Sequence, residues 1–299
     1  MNQHASRWAT PSGLAPRSIS RASRPAEDAI ETAERLAAHL GLRLEERVPG
    51  GSTGSLVLKA WRFDGSAVAV KIDDPARLCL AETAALAAIG VCPPLVHDAL
   101  SADGAVSIWI DGTTPERGMS LESTELVAEL LGRLVLTIPP QGTSAFEDVV
   151  WGLLLATAGG HFRLADASPI DIDALRRDSD VLIGTRHKSV LLHGDLTTNN
   201  VILTEARAWA VDPRPHLGPI EWDAATWCLW ASWAGTINRH VDLLIAGVPG
   251  MDRDLLASAI RFQACAFLTY RAEVGLDLPP DVVAMTLFGN PTESGSERP

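Results

Sequence analysis

Apolar residues at Ala29, Ile30, Ala33, Leu36, Ala37 and Leu40 recur every three or four positions, so 26–40 reads as an amphipathic helix that Gly41 is placed to end. The pattern then changes to short β-like runs. Leu42 to Val48, Leu56 to Phe63 and Ala67 to Ile72 are joined by Pro49-Gly50-Gly51-Ser52-Thr53-Gly54-Ser55 and by Asp64-Gly65, which predicts a β-meander with a glycine-rich first turn. Pro75 can open a helix through Ile89, and two further strands are expected at Leu95 to Leu100 and Val106 to Ile110 around Ala102-Asp103-Gly104.

Asp111-Gly112-Thr113-Thr114-Pro115 breaks this pattern, and the rest of the chain is mostly helical: Leu121 to Leu136, Phe146 to Ala158, Ile172 to Arg186, Trp222 to Ala234 and Asp252 to Val274. One β-like stretch interrupts the helices, formed by Val190 to His193, Val201 to Thr204 and Trp209 to Val211. A strand-rich half, a joint at Asp111 to Pro115 and a helical half holding one small hairpin predict an α+β chain of two lobes. The opening segment to about Pro25, rich in Ser, Pro and Arg without apolar periodicity, reads as a mobile tail. The expected division is a tail at 1–25, an N-terminal lobe at 26–110, a C-terminal lobe at 111–290 and a tail at 291–299.

Composition narrows the class. With 299 residues, 46% of them hydrophobic, the chain can bury a sizeable core. No apolar run approaches the roughly 20 residues needed to span a bilayer, and Arg7, Arg17, Arg21 and Arg24 stand among Ser and Pro without an apolar h-region. A cytoplasmic protein is expected. A formal net charge of −12 argues against nucleic acid or an anionic membrane as partner and is compatible with a cationic small molecule. The four cysteines, Cys79, Cys92, Cys228 and Cys265, are widely spaced without a C-x-x-C pair and read as reduced thiols.

The strongest chemical signal is His193-Gly194-Asp195-Leu196-Thr197-Thr198-Asn199-Asn200, an H-x-D-x-x-x-x-N stretch between two apolar strands. Phosphoryl transfer needs an acceptor that orients the attacking hydroxyl, here Asp195, and a metal ligand beside it, here Asn200. Asp212, in Val211-Asp212-Pro213, ends the next strand, where its carboxylate can meet Asn200 across one ion; a carboxylate and an amide oxygen suit Mg²⁺. Upstream, Ala67-Val68-Ala69-Val70-Lys71 places a lysine on a strand one hairpin after the glycine-rich turn, where it would touch nucleotide phosphates. The chain has only three lysines, Lys59, Lys71 and Lys188, so this placement carries weight. Glu82 falls on the following helix, where it can pair with Lys71. Gly51, Ser52 and Gly54 can bring backbone N–H groups to phosphates, although the turn matches neither G-x-G-x-x-G nor a Walker A motif.

Taken together, His193-Gly194-Asp195 with Asn200, Trp209-Ala210-Val211-Asp212-Pro213-Arg214-Pro215-His216-Leu217-Gly218 and Glu221-Trp222-Asp223 resemble the aminoglycoside and hydroxyurea phosphotransferase family, streptomycin 6-kinases above all. Glu82-Thr83-Ala84-Ala85-Leu86 also resembles their helix around the lysine-pairing glutamate. The chain departs from that family at Thr197-Thr198-Asn199 and at Pro219, neither of which is an expected ligand. The resemblance implies the bilobal protein-kinase-like fold, ATP, Mg²⁺ and transfer to a hydroxyl of an antibiotic, with resistance as the outcome. It also implies that Asp223 braces the catalytic loop, with His193 as structural support.

On this reading Ile108, Trp109 and Ile110 lie against the adenine, and the helical lobe supplies the substrate pocket. Glu147, Asp148, Asp171, Asp173, Glu221 and Asp277 are candidate carboxylates for a cationic aminoglycoside. Trp222, Trp227, Trp230 and Trp233 recur at helical spacing and are expected to be mostly core. Two alternatives share the motifs. One is a kinase of another small hydroxylated molecule, such as hydroxyurea, a sugar or an amino alcohol, and the other is a pseudokinase-like binding module.

Overall fold

A computed structural model of the chain describes residues 26–48, 55–73, 79–96, 104–115, 121–150, 153, 172–184, 189–232 and 236–273. Both expected tails and the glycine-rich turn at 49–54 lie outside them. Strand β1 (Arg43–Arg47), β2 (Leu56–Trp61), β3 (Ala67–Ile72) and β4 (Gly104–Ile108) form one antiparallel sheet in that order. Alternation along β3 decides its two faces. Val68, Val70 and Ile72 are buried in one small core with Ala33 and Leu36 of helix α1 (Ala26–Leu40), which leaves Ala69 and Lys71 to face the other way.

Sequence and structure differ at the sheet's ends. Phe63, expected within a strand, is exposed in the turn closed by Arg62 N–H to Ser66 O at 2.9 Å. β4 begins at Gly104, two residues earlier than expected, where a Cβ would lie 2.7 Å from the Ile72 side-chain tip and 3.0 Å from that of Leu36, so a larger residue would have to displace them. Of the strand expected at Leu95 to Leu100, the described part reaches only Val96, whose N–H donates to Val106 O at 2.8 Å.

Helix α2 (Leu80–Ala88) comes after the sheet's lysine strand and contributes Leu86 to a second, larger core. That core is built by α3 (Leu121–Leu134), α4 (Ile172–Gly184), α5 (Glu221–Ala231), α6 (Ile237–Gly247) and α7 (Arg253–Glu273). α5 is buried on nearly every side, as a helix surrounded by others must be, and its Trp222 and Trp227 belong to the core. Arg261 of α7 donates two hydrogen bonds to Asp178 of α4, at 3.1 and 2.6 Å, fixing those helices together. α6 is not among the expected helices. Its buried stripe of Ile237, His240, Val241 and Leu244 has helical spacing but spans only three turns.

Within the helical half, β6 (Val201–Leu203) and β7 (Ala208–Ala210) form the expected hairpin. Val190 to His193 does not join it: β5 (Val190–Leu191) pairs instead with β8 (Leu217–Gly218), a strand too short to show in any pattern. Thr113 and Leu203 exchange backbone hydrogen bonds of 3.0 and 2.8 Å, which tie the segment after β4 to the hairpin. Gly112 permits that approach, since a Cβ there would fall 2.4 Å from Leu203 O. Among the described residues, no helix is long and apolar enough to cross a membrane.

Candidate active site

The paired strands β5–β8 and β6–β7 carry two loops, 192–200 and 211–216, and lay one against the other. Asp223, in the first turn of α5, is fully buried and accepts N–H groups from His193 at 2.7 Å and Gly194 at 2.9 Å. Burial pushes its carboxyl up to about 7, and the two N–H donors pull the other way. Gly194 has φ +81°, and a Cβ on it would lie 1.9 Å from Arg214 O, so this loop closes only around glycine. His193 is wholly buried. Its Nε2–H donates to Val211 O at 3.0 Å while Nδ1 accepts the Asp195 N–H at 3.4 Å. Burial lowers its pKa to about 4, which keeps the ring neutral and able to play both parts.

Asp195 follows directly. The Asn200 amide donates to both its backbone oxygen and its Oδ2, each at 2.9 Å. Burial first, and the Asp212 charge second, raise the Asp195 carboxyl above the ordinary range. Val211 N–H donates to Asn200 O at 2.8 Å, which sets Asp212 beside the loop in a left-handed conformation, φ +57°. From the opposite lobe, Lys71 Nζ donates to Asp212 Oδ1 and stands 3.6 Å from Asp73 Oδ2. Arg214 Nη2 is 3.9 Å from the same Asp212 oxygen. These groups border a cleft of about 690 Å³ lined by Val57, Lys71, Trp109, Asn200 and Asp212, among others.

No cluster of three or more His, Cys, Asp or Glu side chains able to hold a metal by itself occurs among the described residues. A divalent cation here would draw on Asp212 and on the Asn200 carbonyl oxygen, which is left over because its NH₂ serves Asp195. Two oxygen donors from the protein suit Mg²⁺, which keeps waters and takes phosphate oxygens for the rest of its shell.

Neither a protein-family model nor a curated protein sequence matches the chain. Solved structures do. The macrolide 2'-phosphotransferase MphH from Brachybacterium faecium superposes with a TM-score of 0.57 at 15% identity, covering 91% of this chain and 100% of that one. A choline/ethanolamine kinase family protein from Mesorhizobium loti gives 0.62 at 17% identity, covering 89% and 96%. A spectinomycin phosphotransferase in complex with ADP and spectinomycin gives 0.56 at 12% identity, covering 89% and 92%. The chain has the bilobal protein-kinase-like fold.

Within that fold the sequence-derived residues are placed as follows. Lys71, Ile108, Trp109, Ile110, Asn200 and Asp212 all line the cleft, with Asp195 bonded to Asn200 at its edge. Gly51, Ser52 and Gly54 lie outside the described residues, as do Asp171, Asp277 and Trp233. Two expectations are corrected. Glu82 does not pair with Lys71, whose ammonium is drawn instead to Asp212 and Asp73. Glu221 offers nothing to a substrate, because it is buried at the start of α5 and accepts the Asp252 N–H at 2.8 Å. Glu147, Asp148 and Asp173 are exposed.

Asp73, Ser55 and Arg214 do not stand out in the sequence as site residues. A signal exists for Asp73, which stands two residues beyond Lys71 along one strand and so shares its face. No disulfide joins cysteines among the described residues; Cys92 lines the cleft, its thiol pushed up to about 12 by burial.

Proposed function

We propose that this protein is a small-molecule kinase that moves the γ-phosphoryl group of ATP onto a hydroxyl of a cationic substrate, an aminoglycoside of the streptomycin type. The observation that carries the reading is the convergence of Lys71 from the sheet with Asp195, Asn200 and Asp212 from the two loops on one cleft. In the proposal residues 26–110 hold the nucleotide and 111–290 supply the catalytic loop and the substrate pocket, with the adenine against Ile108, Trp109 and Ile110.

Each residue then has a physical task. Lys71 neutralises α- and β-phosphate charge, and Asp212 with Asn200 holds Mg²⁺, which when bound draws charge off the phosphate oxygens. Asp195 accepts a hydrogen bond from the substrate hydroxyl and aims its oxygen in line with the γ-phosphorus. As the new O–P bond forms and the bond to the β,γ-bridging oxygen breaks, the proton passes to the Asp195 carboxylate and ADP leaves. A loose transition state asks more of positioning than of base strength, so a carboxylate is an adequate acceptor for that proton. Asp223 and His193 hold the loop without touching the reactants.

The net charge of −12 is compatible with a cationic acceptor, and the likeness to a choline/ethanolamine kinase family protein keeps a cationic amino alcohol as the second reading. A panel of aminoglycosides, choline and neutral sugars incubated with Mg²⁺-ATP, read by mass, tests both. A gain of one phosphate on streptomycin-like members is expected. Phosphorylation of choline alone would install the second reading, and a silent panel with intact ATP binding would remove the first.

A further inference from the structure

Three carboxylates are candidates to hold Lys71, and they stand in different relations to it. Asp212 touches its ammonium, Asp73 lies 3.6 Å away, and Glu82 forms no ion pair with it although its neighbour on α2, Thr83, lines the cleft. Asp212 is the carboxylate the proposed Mg²⁺ would engage, and its charge would then be shared between the ion and the lysine. A second carboxylate that binds no metal can keep Lys71 extended throughout.

Asp73 has the required geometry. Lys71 and Asp73 are two residues apart along β3 and its end, so both project from the face opposite Val70 and Ile72. The Asp73 side chain is 1% exposed, against 19% for Lys71, so its charge has little water to answer it. Its position is set from the neighbouring strand. The register Leu56↔Ile72 brings Ser55 opposite Asp73, and Ser55 Oγ–H donates to Asp73 Oδ2 at 2.6 Å. Ser55 is itself buried, and in the sequence it closes the glycine-rich turn.

We infer that Asp73, held by Ser55, and not Glu82, is the carboxylate that positions Lys71 on the nucleotide phosphates. The inference rests on the kinase reading. It makes Ser55–Asp73–Lys71 a cross-strand relay from the base of the glycine-rich turn to the phosphate site, with Asp73 a positioning residue that does not touch the reactants.

The test is the rate of ATP consumption with Mg²⁺ and an acceptor from the panel, in Asp73→Asn, Glu82→Gln, Lys71→Met and the Lys71→Met/Asp73→Asn double variant. Asn is isosteric and can still meet Ser55, so Asp73→Asn should melt close to wild type while the rate at saturating ATP falls about tenfold or more. Its KM for ATP should move by less than about threefold, since losing a negative charge beside the phosphates offsets the loss of a well-aimed lysine. Glu82→Gln should cost several-fold less. The double variant should be no slower than Lys71→Met, because a residue acting through Lys71 has nothing to position once it is gone. Should Asp73→Asn fail to fold, Ser55→Ala, which unpins Asp73 and keeps its charge, should lower the rate about threefold on its own and not at all in the Lys71→Met background. Greater damage from Glu82→Gln than from Asp73→Asn, or losses at Asp73 and Lys71 that simply add, would overturn the inference alone. A wild-type protein that consumes no ATP with any acceptor would remove the kinase reading and the inference together.

Discussion

At the scale of single residues, the proposed mechanism separates groups that meet the reactants from groups that hold the loop. Asp195 is assigned to the first kind, and Asp195→Ala should lower kcat at least about a hundredfold while leaving nucleotide affinity within a few-fold, because positioning of the acceptor is lost and the phosphate contacts are not. Steady-state rates beside nucleotide titrations check this, and retention of more than about a tenth of the rate would take Asp195 out of that role. His193 is of the second kind, and pH exposes it. Its folded pKa of about 4 lies below the ordinary 6.5, so its contribution to stability is complete above pH 6.5 and disappears as pH falls through 4. That is worth about 3 kcal/mol at roughly 1.4 kcal/mol per unit for a fully buried ring. Asp223 works oppositely, favouring the fold at low pH and losing that advantage as pH rises to about 7. Wild-type stability therefore conceals both. His193→Gln, which retains a donor for Val211 but does not titrate, should be destabilised relative to wild type at pH 7 and markedly less so at pH 4.5, by urea unfolding.

At the scale of elements, the 192–200 loop owes its shape to partners from three places: α5 through Asp223, the end of β7 through Val211 and the 211–216 loop through Arg214. Gly194 is where these meet. Gly194→Ala would force φ +81° on a residue with a Cβ and push that Cβ into Arg214 O, and Arg214 is flanked by Pro213 and Pro215 and cannot easily retreat. A loss of about 2 to 4 kcal/mol in urea unfolding is expected, with activity abolished even in the folded fraction. A fully active, stable variant would show that the loop has room this structure does not give it. Much at this scale is legible in the sequence. The meander, its lysine strand and the hairpin β6–β7 announce themselves as short apolar runs bounded by turn residues. The pair β5–β8 cannot, since two residues have no period. α6 is foreshadowed by Ile237, Val241 and Leu244, but three turns bounded by glycine and proline give a weak stripe.

At the scale of the whole molecule, the proposed cleft joins two lobes with separate cores, so ligand binding should couple to stability. Mg²⁺-ATP at about a hundred times its Kd should add about 2.7 kcal/mol and raise the melting temperature, whereas ATP with EDTA should add far less. Asp212→Asn should cancel most of the Mg²⁺-dependent part, since an amide is a poorer ligand for a hard cation. An equal shift in Asp212→Asn would leave Asp212 as no more than the partner of Lys71. If the acceptor is polycationic, its KM should climb with ionic strength between about 0.05 and 0.3 M as exposed ion pairs are screened, while the KM of a neutral acceptor stays level. What the sequence by itself determined was the order of the parts and the identity of the groups in the cleft and at its edge: Lys71, Asn200 and Asp212, with Asp195, stand out because strand period, loop spacing and residue chemistry are all local properties. Only the tertiary structure decided their partners. Which carboxylate meets Lys71, that Glu221 caps α7 through Asp252, and that Asp223 is wholly buried against two N–H groups depend on how elements far apart in the chain are packed. A charged side chain takes its partner from burial and distance, and neither is written in sequence separation.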